Sequence, residues 1–261
     1  MFAIVIPNFN SEEWIKKCLN SLLIQTYQDF MIIIVDDMST DNSVKIIEEY
    51  CQKDKRITLI EPRKKLWNGG ARNVGIDYAK VNEAKYIMFL DCDDWFYSTD
   101  SLKDLADTII ENDYPDCVRL PYVYSKNGVK QIIGLAENNP KDLVNSVYVA
   151  PWTKCIKAEL VVDFPENTLI EDVVQHIEQC DKIETMAVCK TPIVVWNRDN
   201  IMATSLKENQ HFYNAKRISS VYRNIADLMD LQCTHDYCEE HRKWRIECYK
   251  NIVREGKEET F

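Results

Sequence analysis

Phe30-Met31-Ile32-Ile33-Ile34-Val35-Asp36-Asp37 is an unbroken apolar run that ends in two carboxylates. A strand with one wet face would alternate polar and apolar residues. This one does not, so both faces are covered, as in a parallel sheet held between helices. Upstream, Phe2–Pro7 is a similar β-branched run, and Ser11–Ile24 carries Trp14, Ile15, Cys18 and Leu22 at helical spacing. Downstream, Asp41–Tyr50 reads as a helix, Arg56–Glu61 as a third strand, Ala71–Ala79 as a helix and Tyr86–Leu90 as a fourth strand. Ser98–Asn112 is again helical, with Leu102, Leu105 and Ile109 on one face. Short apolar strands alternating with amphipathic helices predict an α/β fold with a Rossmann-like, mostly parallel sheet.

Beyond Asp113 the alternation decays. Asp116–Tyr124 and Val129–Leu135 read as two strands around a turn at Lys126-Asn127-Gly128. Glu171–Lys182 reads as a helix, Met186–Trp196 as one strand, and Leu206–Leu231 and His235–Val253 as helices. The expected organisation is a domain over 1–205, with an alternating half (1–112) and a mixed half (113–205), followed by a helical segment (206–261).

Composition narrows the function. The 261 residues hold 42 acidic and 32 basic side chains, a net charge of −10. That disfavours nucleic acid, which is gripped through basic surfaces. Residues 206–261 carry equal numbers of each sign, so the excess lies in the first 205 residues. No apolar run approaches the length of a membrane span. Met1-Phe2-Ala3-Ile4-Val5-Ile6 has neither a basic leader nor a small-residue cleavage site, so the expected location is the cytoplasm. Ten scattered cysteines without a C-x-x-C pair fit a reduced protein with no structural zinc.

Ligands of parallel sheets bind at the carboxyl ends of the strands. There the sequence sets Asn8, Asp36 and Asp37, and Asp91-Cys92-Asp93-Asp94: five aspartates on one rim. No G-x-G-x-x-G follows the first strand, which disfavours a nicotinamide or flavin enzyme. On an extended strand Asp91 and Asp93 share a face. Converging carboxylates repel unless a cation joins them, and hard oxygen ligands suit Mg²⁺ or Mn²⁺ beside a diphosphate.

Several stretches, in order, resemble glycosyltransferase family 2, whose members have the GT-A fold. They are Ile4-Val5-Ile6-Pro7-Asn8-Phe9-Asn10, Ile34-Val35-Asp36-Asp37-Met38-Ser39-Thr40-Asp41, Asn68-Gly69-Gly70-Ala71-Arg72-Asn73-Val74-Gly75 and Phe89-Leu90-Asp91-Cys92-Asp93-Asp94-Trp95. Trp152-Thr153-Lys154 and Ile170-Glu171-Asp172 are similar to the W-x-K and E-D elements of its acceptor half. The resemblance implies that Pro7, Asn8 and Phe9 border the nucleotide base, Asp36 hydrogen-bonds it, Arg72 approaches the nucleotide and Asp91 contacts ribose or metal. It implies Asp93 as the ligand of Mn²⁺ or Mg²⁺, with Asp91, Asp94 and His176 as further candidates and His211 competing with His176. Trp152 and Glu171 would meet the acceptor, and Asp172 would be the general base.

The implied reaction is inverting transfer of a sugar from a nucleotide sugar, a UDP-sugar first, to a hydroxyl of a glycan or lipid-linked glycan during surface polysaccharide synthesis. Two other readings are a sugar-nucleotide pyrophosphorylase, which needs a glycine- and basic-rich loop absent from Pro7–Ser11, and a non-catalytic nucleotide- or glycan-binding module. Each residue also has a plainer role: Glu171-Asp172 can simply favour a helix start, Trp152 can be core, and Arg63-Lys64-Lys65 can be a solvated loop. Trp244, Cys248 and Ile252 recur among basic residues; that helix either packs on the domain or touches a membrane peripherally.

Overall fold

The structure is a computed structural model, and it describes residues 2–133, 141, 143, 149–166, 171–200 and 223–255. Five strands and four helices fill the first half: β1 (Phe2–Asn8), α1 (Ile15–Leu23), β2 (Phe30–Asp36), α2 (Ser43–Cys51), β3 (Ile57–Ile60), α3 (Trp67–Val81), β4 (Tyr86–Phe89), β5 (Trp95–Phe96) and α4 (Ser101–Glu111). The second half supplies β6 (Cys117–Arg119), β7 (Tyr122–Lys126), β8 (Val129–Ile133), β9 (Lys154–Lys157), α5 (Glu171–Asp181), β10 (Met186–Val188) and β11 (Val194–Asn197). Helical residues 223–230 (α6) and Asp236–Glu255 (α7) follow.

The larger sheet has seven strands in the order β10-β6-β9-β4-β1-β2-β3. Only β9 runs against its neighbours. Because side chains alternate along a strand, Phe2, Ile4 and Ile6 of β1 enter one core with α1, α2 and α4, while Ala3 and Val5 enter the other with α3, α5 and α7. Both faces are therefore dry, as the unbroken run of β2 requires. A smaller sheet, β5-β11-β7-β8, stands beside it.

Two expected strands are each divided. Asp116–Tyr124 breaks at Leu120-Pro121, and Met186–Trp196 breaks before Ile193, next to Pro192. Proline has no N–H for a ladder, so each chain leaves the larger sheet there and enters the smaller one. The two chains cross side by side: β6 pairs with β10 and β7 with β11, both parallel, and Ile193 N–H bonds the Pro121 carbonyl at 2.8 Å between them. The expected turn is present, with Asn127 and Gly128 both at positive φ, as a two-residue hairpin demands. Strand β9 escaped the sequence reading because lysines bound its two apolar residues.

Helix α3 starts four residues before its apolar pattern. Asp37 accepts the backbone N–H of Leu66 at 2.6 Å and of Trp67 at 2.9 Å, satisfying donors that a helix start leaves orphaned. All ten cysteines are free thiols. Among the described residues no helix is long and apolar enough to cross a membrane. His211 and most of the expected Leu206–Leu231 helix lie outside the described residues.

Gly75 lets α3 lie directly on β1: a Cβ there would sit 2.3 Å from Val5 Cγ1. Gly75→Ala should therefore cost about 1–3 kcal/mol through overpacking, read as a lower urea midpoint with an unchanged slope.

Candidate active site

The carboxyl ends of β1, β2 and β4 form one rim because these strands are parallel. At its centre Asn8 donates to Asp36 Oδ1 at 2.7 Å, Ser39 Oγ donates to the same oxygen at 2.5 Å, and Ser39 N–H donates to Asp36 Oδ2 at 2.9 Å. Asp36 is 3% exposed. Three bonds from the rim's own loops leave Asp36 one acceptor site on Oδ2, so it shapes those loops first and has a single place for the base expected there. Asn8 is buried in the same network, and Pro7 lies within β1 beneath it. Phe9 emerges from the rim, 44% exposed, with the Lys65 ammonium 3.1 Å from its ring centroid. Lys65 also reaches the Asp37 carbonyl at 2.8 Å and its carboxylate at 3.0 Å. The loop read as solvated is thus tied to the rim, through a cation–π contact that no sequence pattern announces.

The three aspartates after β4 diverge. Asp91 accepts Arg72 Nη2 at 2.9 Å. Asp93 accepts the Asn200 side-chain amide at 2.8 Å. Burial and the neighbouring Asp91 drive the Asp93 carboxyl up to about 6. Asp94 is 1% exposed; its Oδ1 accepts Asn197 N–H at 2.7 Å, and its Oδ2 is buried with no hydrogen-bond partner. Burial, with Asp93 and Asp91 beside it, raises its carboxyl well above the ordinary range. Asp94 anchors β11 through Oδ1.

Arg72 joins the two halves of the molecule. It is buried, and its other arm meets Glu171 Oε1 at 2.5 Å. Burial opposes the guanidinium charge, but Asp91 and Glu171 outweigh it and raise the group further. The rest of α3 explains the surrounding motif. Gly69 admits the Pro165 carbonyl, which a Cβ would meet at 2.5 Å. The Asn73 amide donates to the Phe164 carbonyl at 2.9 Å and accepts its N–H at 2.7 Å. Helix α3 therefore positions the segment leading to α5. Glu171 is committed to Arg72 and buried, which removes it as a direct acceptor contact. Asp172, one residue on, is half-buried in the first turn of α5. Burial raises its carboxyl, while Arg72 and Lys154 pull it back.

Two expected contacts lie elsewhere. Trp152 is 3% exposed and packs edge-on to Tyr122, with ring centroids 4.9 Å apart, and against Trp196 at 5.6 Å. It offers no open ring face to a sugar. His176 is fully buried, 3.1 Å from Lys154 Nζ, one turn along α5 and inside the core rather than at the metal. Burial, with Lys154 and Arg119 near, holds it well below the ordinary imidazole range and so neutral.

The residues that remain fit a divalent cation. Among the described residues no three His, Cys, Asp or Glu converge on one point. Asp93 and Asp91 offer a pair of hard oxygens, and Asp93 is desolvated against its neighbour, an arrangement a cation would relieve. One or two carboxylates completed by phosphate oxygens is the usual Mg²⁺ set.

Removing Arg72 should strand Glu171 as a buried charge. Arg72→Met is expected to cost about 3–5 kcal/mol in urea unfolding, partly restored by adding Glu171→Gln. His176 sets a pH slope. Below about pH 6.5 the unfolded chain takes up a proton that the folded imidazole refuses, so stability falls with pH by up to about 1.4 kcal/mol per pH unit. His241, pushed down to about 4 by burial, acts in the same sense. The Tm of His176→Gln should fall less steeply between pH 7 and 5 than that of the parent.

Comparison with known proteins agrees with this geometry. The family model described as glycosyl transferase family 2 matches residues 3–149. The glycosyltransferase GlyA of Streptococcus pneumoniae is 37% identical over 112 residues, 42% of this chain and 15% of that protein. The poly(ribitol-phosphate) beta-glucosyltransferase of Bacillus spizizenii is 41% identical over 98 residues, 37% of this chain and 15% of that protein. An uncharacterized glycosyltransferase of Mycoplasma genitalium is 28% identical over 233 residues, 82% of this chain and 74% of that protein. The chain thus spans only a small part of the length of the first two. Among solved structures, Staphylococcus aureus TarS 1–349 in complex with UDP-GlcNAc superposes with a TM-score of 0.71 at 22% identity, covering 96% of this chain and 71% of that one. The mannosyltransferase PcManGT of Pyrobaculum calidifontis, in complex with GDP-Man and Mn²⁺, gives 0.61 at 14% identity, covering 97% and 74%. The paired sheets, the carboxylate rim and the match over more than half its length show that the chain belongs to glycosyl transferase family 2 and has the GT-A fold.

Proposed function

We propose that this chain is an inverting glycosyltransferase that moves a sugar from a nucleoside-diphosphate sugar, a UDP-sugar first, to a hydroxyl of a glycan or lipid-linked glycan in surface polysaccharide synthesis. The observation that carries the reading is the ion-pair chain from Asp91 through Arg72 to Glu171. It holds the start of α5, and with it Asp172, against the carboxylate rim, so a donor seated on the rim has a base within the same cleft. The complexes of TarS with UDP-GlcNAc and of PcManGT with GDP-Man support a nucleotide-sugar donor.

Each residue then has a task. The exposed ring of Phe9 flanks the base, and Lys65 holds that wall in place. Asp93, with Asp91, would hold Mn²⁺ or Mg²⁺, which supplies neutralisation of the charge that grows on the departing diphosphate. Asp172 takes the proton from the acceptor hydroxyl; its raised carboxyl makes it a better base near neutral pH than an ordinary aspartate. With Asp91 and Glu171 committed to Arg72 and Asp93 assigned to the cation, Asp172 acts as the single base of a direct displacement, with inversion at the anomeric carbon. Residues 1–205 form the transferase unit in this reading, and the later helices buttress it. Trp244, 54% exposed beside Arg245, supports a peripheral membrane contact where the acceptor is lipid-linked.

The test is thermal stability with nucleotides, with and without Mn²⁺. UDP with Mn²⁺ should raise the Tm, and the rise should vanish in Asp93→Ala. Asp172→Asn should keep the UDP shift and lose at least about 100-fold in turnover. A shift with GDP alone would replace the donor class, and persistent turnover in Asp172→Asn would remove the assigned base.

A further inference from the structure

Lys154 is the most conspicuous group without a task. Lysine is rarely fully buried unless paired, yet this one is 1% exposed. Its ammonium donates to the carbonyls of Val149 at 3.0 Å and Ala150 at 3.3 Å and meets His176 Nδ1 at 3.1 Å. A lysine only donates, so Nδ1 is the acceptor and the ring proton is on Nε2, which donates to the Leu143 carbonyl at 3.1 Å. Among the described residues no carboxylate bonds Lys154. The carboxylate that its charge reaches is Asp172, four residues before His176 on α5 and therefore on the same helix face.

Resting on the assignment of Asp172 as base, we infer that Lys154 is a positioning residue for it: an ammonium locked beneath α5 by His176 and two backbone carbonyls, whose field keeps Asp172 ionised and ready to accept a proton. The groups facing Asp172 are Arg72 from α3, Lys154 from β9, Glu171 beside it and the buried Tyr249 hydroxyl from α7. Arg72 exerts the larger pull on Asp172 although it is bonded to Asp91 and Glu171, and Lys154 adds the second. Lys154 faces Arg119, Cys117, Cys180 and His176, and among the described residues no carboxylate lies within bonding distance of it, so its field extends to the base. Burial has drawn the ammonium down to about 8, so it is charged at neutral pH and can lose that charge within the working range of an enzyme.

The test compares kcat–pH profiles of the parent, Lys154→Gln and Lys154→Arg. Lys154→Gln keeps a donor for the carbonyls and removes the charge; the midpoint of its acid limb should move to a pH about one unit higher, with donor KM unchanged. Lys154→Arg should bring the midpoint back. An unmoved limb in a folded Lys154→Gln, or one that Lys154→Arg fails to restore, would overturn the inference. Should Lys154→Gln not fold, the parent labelled with [γ-¹³C]aspartate carries the test without activity. The Asp172 signal, assigned through Asp172→Asn, should show a second inflection near pH 8 as Lys154 loses its proton; its absence would be equally decisive against the inference. Retained turnover in Asp172→Asn would instead fault the assignment of the base, and the labelled titration would still report on Lys154.

Discussion

One buried guanidinium organises this molecule. Arg72 projects from α3 between an aspartate at the end of β4 and a glutamate at the start of α5, and so joins elements up to 99 residues apart in the chain. A buried ion pair contributes little net stability, because desolvation offsets most of the attraction; breaking one is costly, because a charge is left alone. What such a triad supplies is register. Any arrangement that slides α5 along the sheet leaves Glu171 or Arg72 without a partner. The nearby backbone is shaped to allow that approach: Gly69 admits the Pro165 carbonyl, and Asn73 clasps Phe164 from both sides.

The carboxylates of the rim illustrate how one residue type takes different tasks from its surroundings. Asp36 and Asp37 are absorbed by hydroxyls and backbone N–H groups and shape loops. Asp94 ties the rim to the smaller sheet. Asp91 answers Arg72, and Asp93 stays desolvated and close to a like charge.

The parallel half of the fold is legible in the sequence because strands buried on both faces are written as unbroken apolar runs, and β1, β2 and β4 announce themselves that way. The second half is harder for a physical reason. Apolar character continues through Leu120-Pro121 and up to Ile193, so periodicity cannot show where the chain changes sheets. Site residues are legible as types and not as partners. Trp152 and His176 carry the chemistry expected of a platform and a ligand, but contacts from Tyr122, Trp196 and Lys154 turn both into core. The burial of Lys154 runs against the habit of its residue type, so composition and pattern both point away from it.

The double crossing of strands between the sheets has a mechanical consequence. Two chains pass from one sheet to the other side by side, paired to each other on both sides of the break and bonded between Ile193 and Pro121. A single strand passing between sheets is a hinge; two coupled strands form a stiff strap. The sheets therefore move as one body, and the cleft they border has a width set by folding rather than by ligand. Among the described residues, the adjustments left to the rim are those of side chains such as Phe9 and Lys65, on the timescale of rotamers and short loops.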